Sequence, residues 1–198
     1  MGLVISNMSM SLDGFIEDKG GSVEQLFEWY TAGPVETKSA NADIGFRQSK
    51  EDSEHLQSMI GTIGALIAGR RLFNVAHGWN GAHPVGAPVF VVTHRAPTPD
   101  EWPHRDAPFT FVTDGVERAI AKAKAVAGDK DVVIASPSIV RQALDAGLLD
   151  VVTVDLVPWL LGSGTPYFAH LASAPVRLDN PMIRSGNRVT HLSYRVLR

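Results

Sequence analysis

The sequence predicts an α/β fold: a three-layer α/β/α sandwich whose mixed, mainly parallel sheet ends in an antiparallel hairpin. Three observations carry that prediction. β-Branched apolar runs alternate with amphipathic helical stretches up to about residue 157, the order that builds a parallel sheet covered on both faces. Two extended stretches follow within 176–197, joined by the turn-forming Ser185-Gly186-Asn187. The 198 residues, 44% hydrophobic and 20% charged, are enough to bury about 70% of the unfolded surface, a core that needs no metal or disulfide.

The elements follow in chain order. Residues 3–11 read as a strand that leaves through Ser11-Leu12-Asp13-Gly14. Val23, Leu26, Phe27 and Tyr30 fall at i, i+3, i+4 and i+7, so 22–30 reads as a short helix, ended by Gly33-Pro34. A second helix is expected over 52–60. The compact run 63–68 is a buried strand that leads into Gly69-Arg70-Arg71 and a helical stretch to residue 75. Residues 89–92 form another strand, stopped by Thr93-His94-Arg95. Asp114 and Glu117 have capping-box spacing, and Val116, Ala119, Ile120, Ala123 and Val126 make one apolar stripe before Gly128. A buried strand at 131–135 gives way to a helix with Ser136 as its cap and Pro137 at N1. Its inward face is Ile139, Val140, Ala143 and Leu144, and Gly147 ends it. Residues 151–157 form the last strand before the hairpin, an apolar run interrupted by Asp155. No repeat or linker divides 1–198, which reads as a single domain.

Composition excludes several functions. Eighteen basic against 21 acidic residues, net charge −3, give no electrostatic footprint for nucleic acid. No apolar run is long enough to span a membrane, and no secretory leader is apparent. The absence of cysteine rules out disulfides, zinc–cysteine sites and thiol nucleophiles, and fits a cytoplasmic protein. The seven histidines lack the i, i+4 pairing of a zinc enzyme, so no metal is expected. Gly162-Ser163-Gly164 is followed by Pro166 and reads as a turn, and neither a G-x-S-x-G elbow nor a P-loop occurs.

In open α/β sheets ligands bind beyond the carboxyl ends of the strands. Four strand exits therefore hold the candidate residues. Arg70, Arg71, Arg95 and His94 suit a pyrophosphate and a 2′-phosphate, aided by helix N-termini; the alternative is that the arginines are solvated loop residues. Asp13 either relays a proton from a shielded site or caps its own turn. Trp29 either lines a pocket for a flat heterocycle or belongs to the core.

Five stretches together resemble one family. They are Met8-Ser9-Met10-Ser11-Leu12-Asp13-Gly14-Phe15-Ile16; Ala65-Leu66-Ile67-Ala68-Gly69-Arg70-Arg71-Leu72-Phe73; Pro88-Val89-Phe90-Val91-Val92-Thr93-His94; Ala143-Leu144-Asp145-Ala146-Gly147-Leu148-Leu149-Asp150; and Val157-Pro158-Trp159-Leu160-Leu161-Gly162-Ser163-Gly164. In order and spacing they are similar to the dihydrofolate reductase-like family, and closest to the group related to the C-terminal reductase domain of riboflavin-biosynthesis deaminase-reductases. The resemblance implies a sheet of eight or more strands, an NADPH-dependent reductase and a homodimer. It implies a small heterocyclic substrate, pyrimidine- or pterin-like, as in a 5-amino-6-(5-phosphoribosylamino)uracil reductase or a dihydrofolate reductase. It places the cofactor phosphates at Gly69, Arg70, Thr93, His94 and Arg95, the nicotinamide beside the Ser9 backbone, and the substrate beside Asp13 and the 23–30 helix. For the acidic residue on the folate enzyme's first helix, Glu24 and Glu28 are the candidates. One departure stands out. Where the family has two glycines after the strand, this chain has Ala135, Ser136 and then Pro137. The Ala135 methyl and the missing Pro137 N–H are expected to lower NADPH affinity, with the Ser136 hydroxyl as a substitute donor. The alternative reading is a non-catalytic nucleotide-binding or dimeric scaffold relative.

Overall fold

The structure is a computed structural model and describes residues 2–198. It is a three-layer α/β/α sandwich around an eight-stranded sheet. In chain order the elements are β1 (Val4–Ser11), β2 (Phe15–Asp18), α1 (Glu24–Phe27), β3 (Val35–Thr37), β4 (Phe46–Gln48), α2 (Lys50–Thr62), β5 (Ile63–Gly69), α3 (Arg70–Val75), β6 (Val89–Val92), β7 (Phe109–Val112), α4 (Val116–Ala127), β8 (Asp131–Ile134), α5 (Pro137–Asp145), β9 (Val151–Val157), β10 (Gly164–Pro166), β11 (Met182–Ser185) and β12 (Thr190–Arg195). The large sheet has the order β11-β12-β9-β1-β8-β5-β6-β7. From β9 to β7 all neighbours are parallel, and β12 runs antiparallel to β9. The C-terminal hairpin thus extends the main sheet. Two small ribbons, β2–β10 and β3–β4, flank it. Among the described residues no helix is long and apolar enough to cross a membrane.

The two faces are packed differently. On one, Val116, Ala119, Ile120 and Ala123 of α4 and Ile139, Val140 and Ala143 of α5 close over Val4, Ala65, Ile67, Val132 and Ile134. On the other, Ile63, Leu66, Phe73, Val89, Val91 and Val133 form a smaller cluster edged by Met59, Leu72, Trp79 and Trp102. Strand alternation divides β1 between the faces: Val4 joins the first cluster, and Ile5 packs against the second.

Several local expectations are corrected. The single helix over 22–30 is α1 followed by a tighter 3₁₀ turn over Glu28–Thr31. The tighter winding eclipses residues three apart, so Leu26 and Trp29 both face inward, each 1% exposed. Asp114 does not cap α4. Gly115 takes the cap position at φ 97° with no side-chain cap, and Lys122 holds the Asp114 carboxylate at 3.0 Å. Val126 leaves the stripe for solvent, and Ala127 takes the inward position. Helix α2 begins before residue 52. Ser49 caps it, accepting from the Asp52 N–H, and the Ser49 hydroxyl donates to Asp52 Oδ2 at 2.7 Å. Ser136 precedes α5 as expected but makes no capping hydrogen bond to it.

Candidate functional site

A cleft of about 1330 Å³ crosses the carboxyl ends of β1, β5, β6 and β8. That exceeds the ~300–1,000 Å³ of a pocket for one small ligand. Its lining falls into two chemically different halves.

The first half is made by strand exits. Gly69, Arg70, Thr93, His94, Arg95 and Ser136 all line it, as do Ala135, Pro137 and Ser138. Ser136 clasps two of these exits. Its hydroxyl accepts from the Gly69 N–H at 2.8 Å and donates to the Ala135 carbonyl at 2.6 Å. A side chain at Gly69 would press on that hydroxyl, which explains a residue without Cβ there. The Ser136 hydroxyl is thus committed to the fold, not directed at a phosphate. The next exits are cross-linked too. Arg70 Nη1 donates to the Arg95 carbonyl at 3.0 Å, and Thr93 Oγ1 to the same oxygen at 2.9 Å. The Arg95 guanidinium forms a two-pronged pair with Glu101, at 2.7 and 2.9 Å. Glu101 also accepts from the Thr98 N–H at 2.7 Å. The Arg95 hydrogen bond, followed by the Thr98 backbone bond, pulls the Glu101 carboxyl down to about 2. At the start of α5 Pro137 has no N–H, and the Ile139 and Val140 N–H groups both donate to the Ser136 carbonyl. The suitability of this corner for a polyanion therefore rests on the cations around it and on the helix dipole.

The second half is apolar. Phe27, Tyr30, Phe46, Leu56, Met59, Ile60 and Leu66 line it. Tyr30 stands 5.1 Å from Phe46 and 5.6 Å from Phe27, centroid to centroid. Between the halves, Glu17 on β2 pairs with Arg71 at 2.9 Å and accepts from the Thr165 hydroxyl.

Beside the apolar half runs a buried polar row that the sequence did not announce. Register places His191 opposite Asp155 and Asp155 opposite Ser9, across β12, β9 and β1. His191 Nδ1 lies 2.7 Å from Asp155 Oδ1, and its Nε2 lies 3.1 Å from Asp52 Oδ1 on α2. Asp52 also accepts from the Asn187 N–H at 2.9 Å, and the hairpin comes so near that a Cβ at Gly186 would overlap its carboxylate. Asn7 donates to Thr153 Oγ1 and to Asp155 Oδ2, at 2.9 and 3.3 Å. His55 packs 4.1 Å from the His191 ring. Burial works against a charged His191, but hydrogen bonds and charge from Asp155 and Asp52 prevail and raise its pKa. For His55, burial and then the His191 charge outweigh the opposing charges of Asp155 and Asp52 and push it down to about 4. Ligand atoms of His55, Asp155 and His191 lie within 4.8 Å of one another, yet a metal there would have to displace the His191 hydrogen bonds to the carboxylates. One signal in the sequence pointed here: a charged aspartate in the mostly apolar 151–157 strand.

Two candidates stand apart from the cleft lining. Asp13 is a loop staple. Ser11 Oγ donates to it at 2.6 Å, and the N–H groups of Leu161 and Gly162 donate at 3.1 and 2.7 Å, tying the exits of β1 and β9. Those bonds, Ser11 first, lower its pKa, so it holds no proton to give near neutrality. Trp29 is core: its indole donates to Ser9 Oγ at 3.1 Å, it stacks on Tyr30 at 4.1 Å, and its edge meets His191. Its neighbour Tyr30, not Trp29, reaches the cleft. Glu24 and Glu28 do not line it either; Glu28 pairs with Arg188 at 2.9 Å.

Comparison with known proteins is consistent with this architecture. The RibD C-terminal domain family matches residues 3–190. A protein described as a riboflavin biosynthesis protein from Shewanella sp. PV-4 has a similar structure, with TM-score 0.73, 22% identity and 99% of each chain covered. Dihydrofolate reductase from Enterococcus faecalis, complexed with NADP(H), superposes at TM-score 0.58 and 15% identity over 98% of this chain and 96% of its own. The Thermotoga maritima diaminohydroxyphosphoribosylaminopyrimidine deaminase/5-amino-6-(5-phosphoribosylamino)uracil reductase gives TM-score 0.59 and 14% identity, covering 99% of this chain and 57% of that one. No curated protein matches the sequence.

Proposed function

Because the chain belongs to the RibD C-terminal domain family, we propose that it is an NADPH-dependent reductase of a pyrimidine- or pterin-like heterocycle. The observation that carries the reading is the two-part cleft: cations and strand exits on one side, an apolar wall on the other. Its volume leaves room for a dinucleotide and a small ring together. The fit of the cofactor rests on charge and position. Arg70, Arg95 and His94 surround the exits of β5 and β6, and α5 directs its N-terminus at the same space.

In this reading NADPH supplies a hydride to one face of the ring, and a proton from cleft water completes the reduction. The protein holds, orients and shields. Arg95, once freed from Glu101, pairs with the 2′-phosphate through its planar fork. Arg70, Thr93, His94 and the α5 N-terminus hold the remaining phosphates. Ser9, fixed by the Trp29 indole, keeps the end of β1 rigid beside the reacting ring. The chain acts as one domain and pairs with a second copy. The β11 edge strand, where Met182 and Ile183 are 74% and 64% exposed, is a surface for such a contact.

Fluorescence titration with NADPH, and with NADH as control, tests the proposal. Saturable binding that favours NADPH, with the preference lost in Arg95→Ala, supports it; a preference unchanged in Arg95→Ala removes the role given to that residue. A second reading, a non-catalytic relative, is favoured by one observation: the Ala135–Ser136–Pro137 exit, whose hydroxyl is spent internally. Absence of binding to either nucleotide decides for it.

A further inference from the structure

The apolar half of the cleft limits what its ligand can be. Tyr30, Phe46, Leu56, Met59, Ile60 and Leu66 form its walls. The arginines among the lining residues, Arg70, Arg71 and Arg95, all belong to the β5 and β6 exits. None of them is idle: Arg70 is bonded to Asn74 and to the Arg95 carbonyl, Arg71 to Glu17, and Arg95 to Glu101. The histidine near the apolar wall, His83, is pushed down to about 4 by burial and is neutral at pH 7. Behind the wall lies the Asp52–His191–Asp155 row. Two carboxylates around one imidazole leave it net negative whether or not the ring is protonated. An anion entering here would lose its water, find the bordering Arg71 already paired with Glu17, and face that negative field.

The polar handle is Asn7. Its Nδ2 is spent on Thr153 and Asp155, and Oδ1 accepts no hydrogen bond among the described residues. It lines the cleft as an acceptor and asks for a donor from the ligand.

We propose that this half takes an uncharged, flat, largely apolar ring compound with an N–H or O–H donor for Asn7, and that it rejects phosphorylated compounds. The proposal rests on the reading that the other half holds NADPH, and it narrows that reading. A phosphoribosyl substrate, of the kind named for the Thermotoga relative, brings a phosphate for which the apolar half has no partner. An unphosphorylated heterocycle brings none.

The test uses the full chain and N-phenyl-1-naphthylamine, an uncharged aromatic amine whose fluorescence rises in apolar surroundings. Uridine 5′-monophosphate is the phosphorylated competitor, and NADPH is titrated separately in every sample. Two variants alter the wall at half-buried positions: Met59→Arg adds a cation, and Phe46→Ser removes a ring. The expected result is saturable binding of the amine, one per chain, with no displacement by millimolar uridine 5′-monophosphate. Met59→Arg and Phe46→Ser should each weaken it at least about tenfold, with NADPH affinity unchanged. Displacement by the nucleotide in the unaltered protein overturns the proposal, as does amine binding that neither variant affects. If the amine behaves as expected but NADPH does not bind, the reductase reading falls and the pocket chemistry stands.

Discussion

The strand exits of β5, β6 and β8 and the buried row beneath α2 are both clusters of charged and polar groups, but they are held in opposite ways. At the exits the ion pair is exposed: Arg95 and Glu101 side chains are 62% and 43% accessible. Water competes for each bond there, and a ligand can trade places with Glu101. In the row, Asp52, Asp155 and His191 are each no more than 5% exposed. No water is available to replace a lost partner, so each group depends on the others. The difference separates a part of the molecule built to exchange partners from a part built to keep them.

The largest predicted effect follows from that contrast. Asp155→Ala strips the His191 imidazole of its shorter bond and leaves Asp52 facing it alone. Loss of one partner of a buried pair costs about 3–5 kcal/mol, to be read from the urea midpoint. Arg95→Ala should leave the same midpoint where it is. Similar losses from both substitutions would abolish the distinction.

A pH profile sharpens it. The raised pKa of His191 means that its contribution to stability is complete below its unfolded value of ~6.5. That contribution is lost as pH rises through the folded value. His55, pushed down to about 4, acts the other way, and stability falls as pH drops from ~6.5 towards that value. His191→Asn should flatten the alkaline side of the profile, and His55→Asn the acid side. Urea melts at intervals of pH check both signs.

Smaller effects belong to the exits. Ser136→Ala removes the clasp between Gly69 and Ala135, at about 1–2 kcal/mol in the same melts. It also frees the Gly69 N–H for a phosphate. Glycine at both 135 and 136 should then tighten NADPH, and calorimetry checks this. If the doubly substituted protein binds no more tightly, this exit is no obstacle. The smallest change is Glu101→Gln, which loosens the grip on Arg95 and should raise NADPH affinity by up to about five-fold, with little change for NADH. Equal gains for both nucleotides would separate Arg95 from the 2′-phosphate.

The same contrast governs what could be read from the sequence. Exits are local. Gly69-Arg70 and Thr93-His94-Arg95 follow apolar strands directly, so their place at one edge of the sheet follows from the fold class, and all of them line the cleft. The row is not local. Asp52, Asp155 and His191 meet only because β12 pairs with β9 in one register and α2 crosses above, and no motif joins residues so far apart. Asp155 alone hinted at it. Misreadings within elements have local causes. Asp13 has the look of an active carboxylate because nothing near it in sequence reveals the Leu161 and Gly162 donors. Asp114 and Glu117 have capping-box spacing, yet Gly115 takes the cap and Lys122 takes the carboxylate. Trp29 and Tyr30 are neighbours in sequence, and only packing decides that the indole turns to Ser9 while the phenol ring faces the cleft.

Hydrogen–deuterium exchange, measured with and without saturating NADPH, tests the central claim that the exits form a cofactor half separate from the apolar half. The account predicts added protection in peptides covering 69–75, 93–101 and 135–140, with little change over 44–60. No added protection at the exits, or protection centred on 44–60, would contradict it.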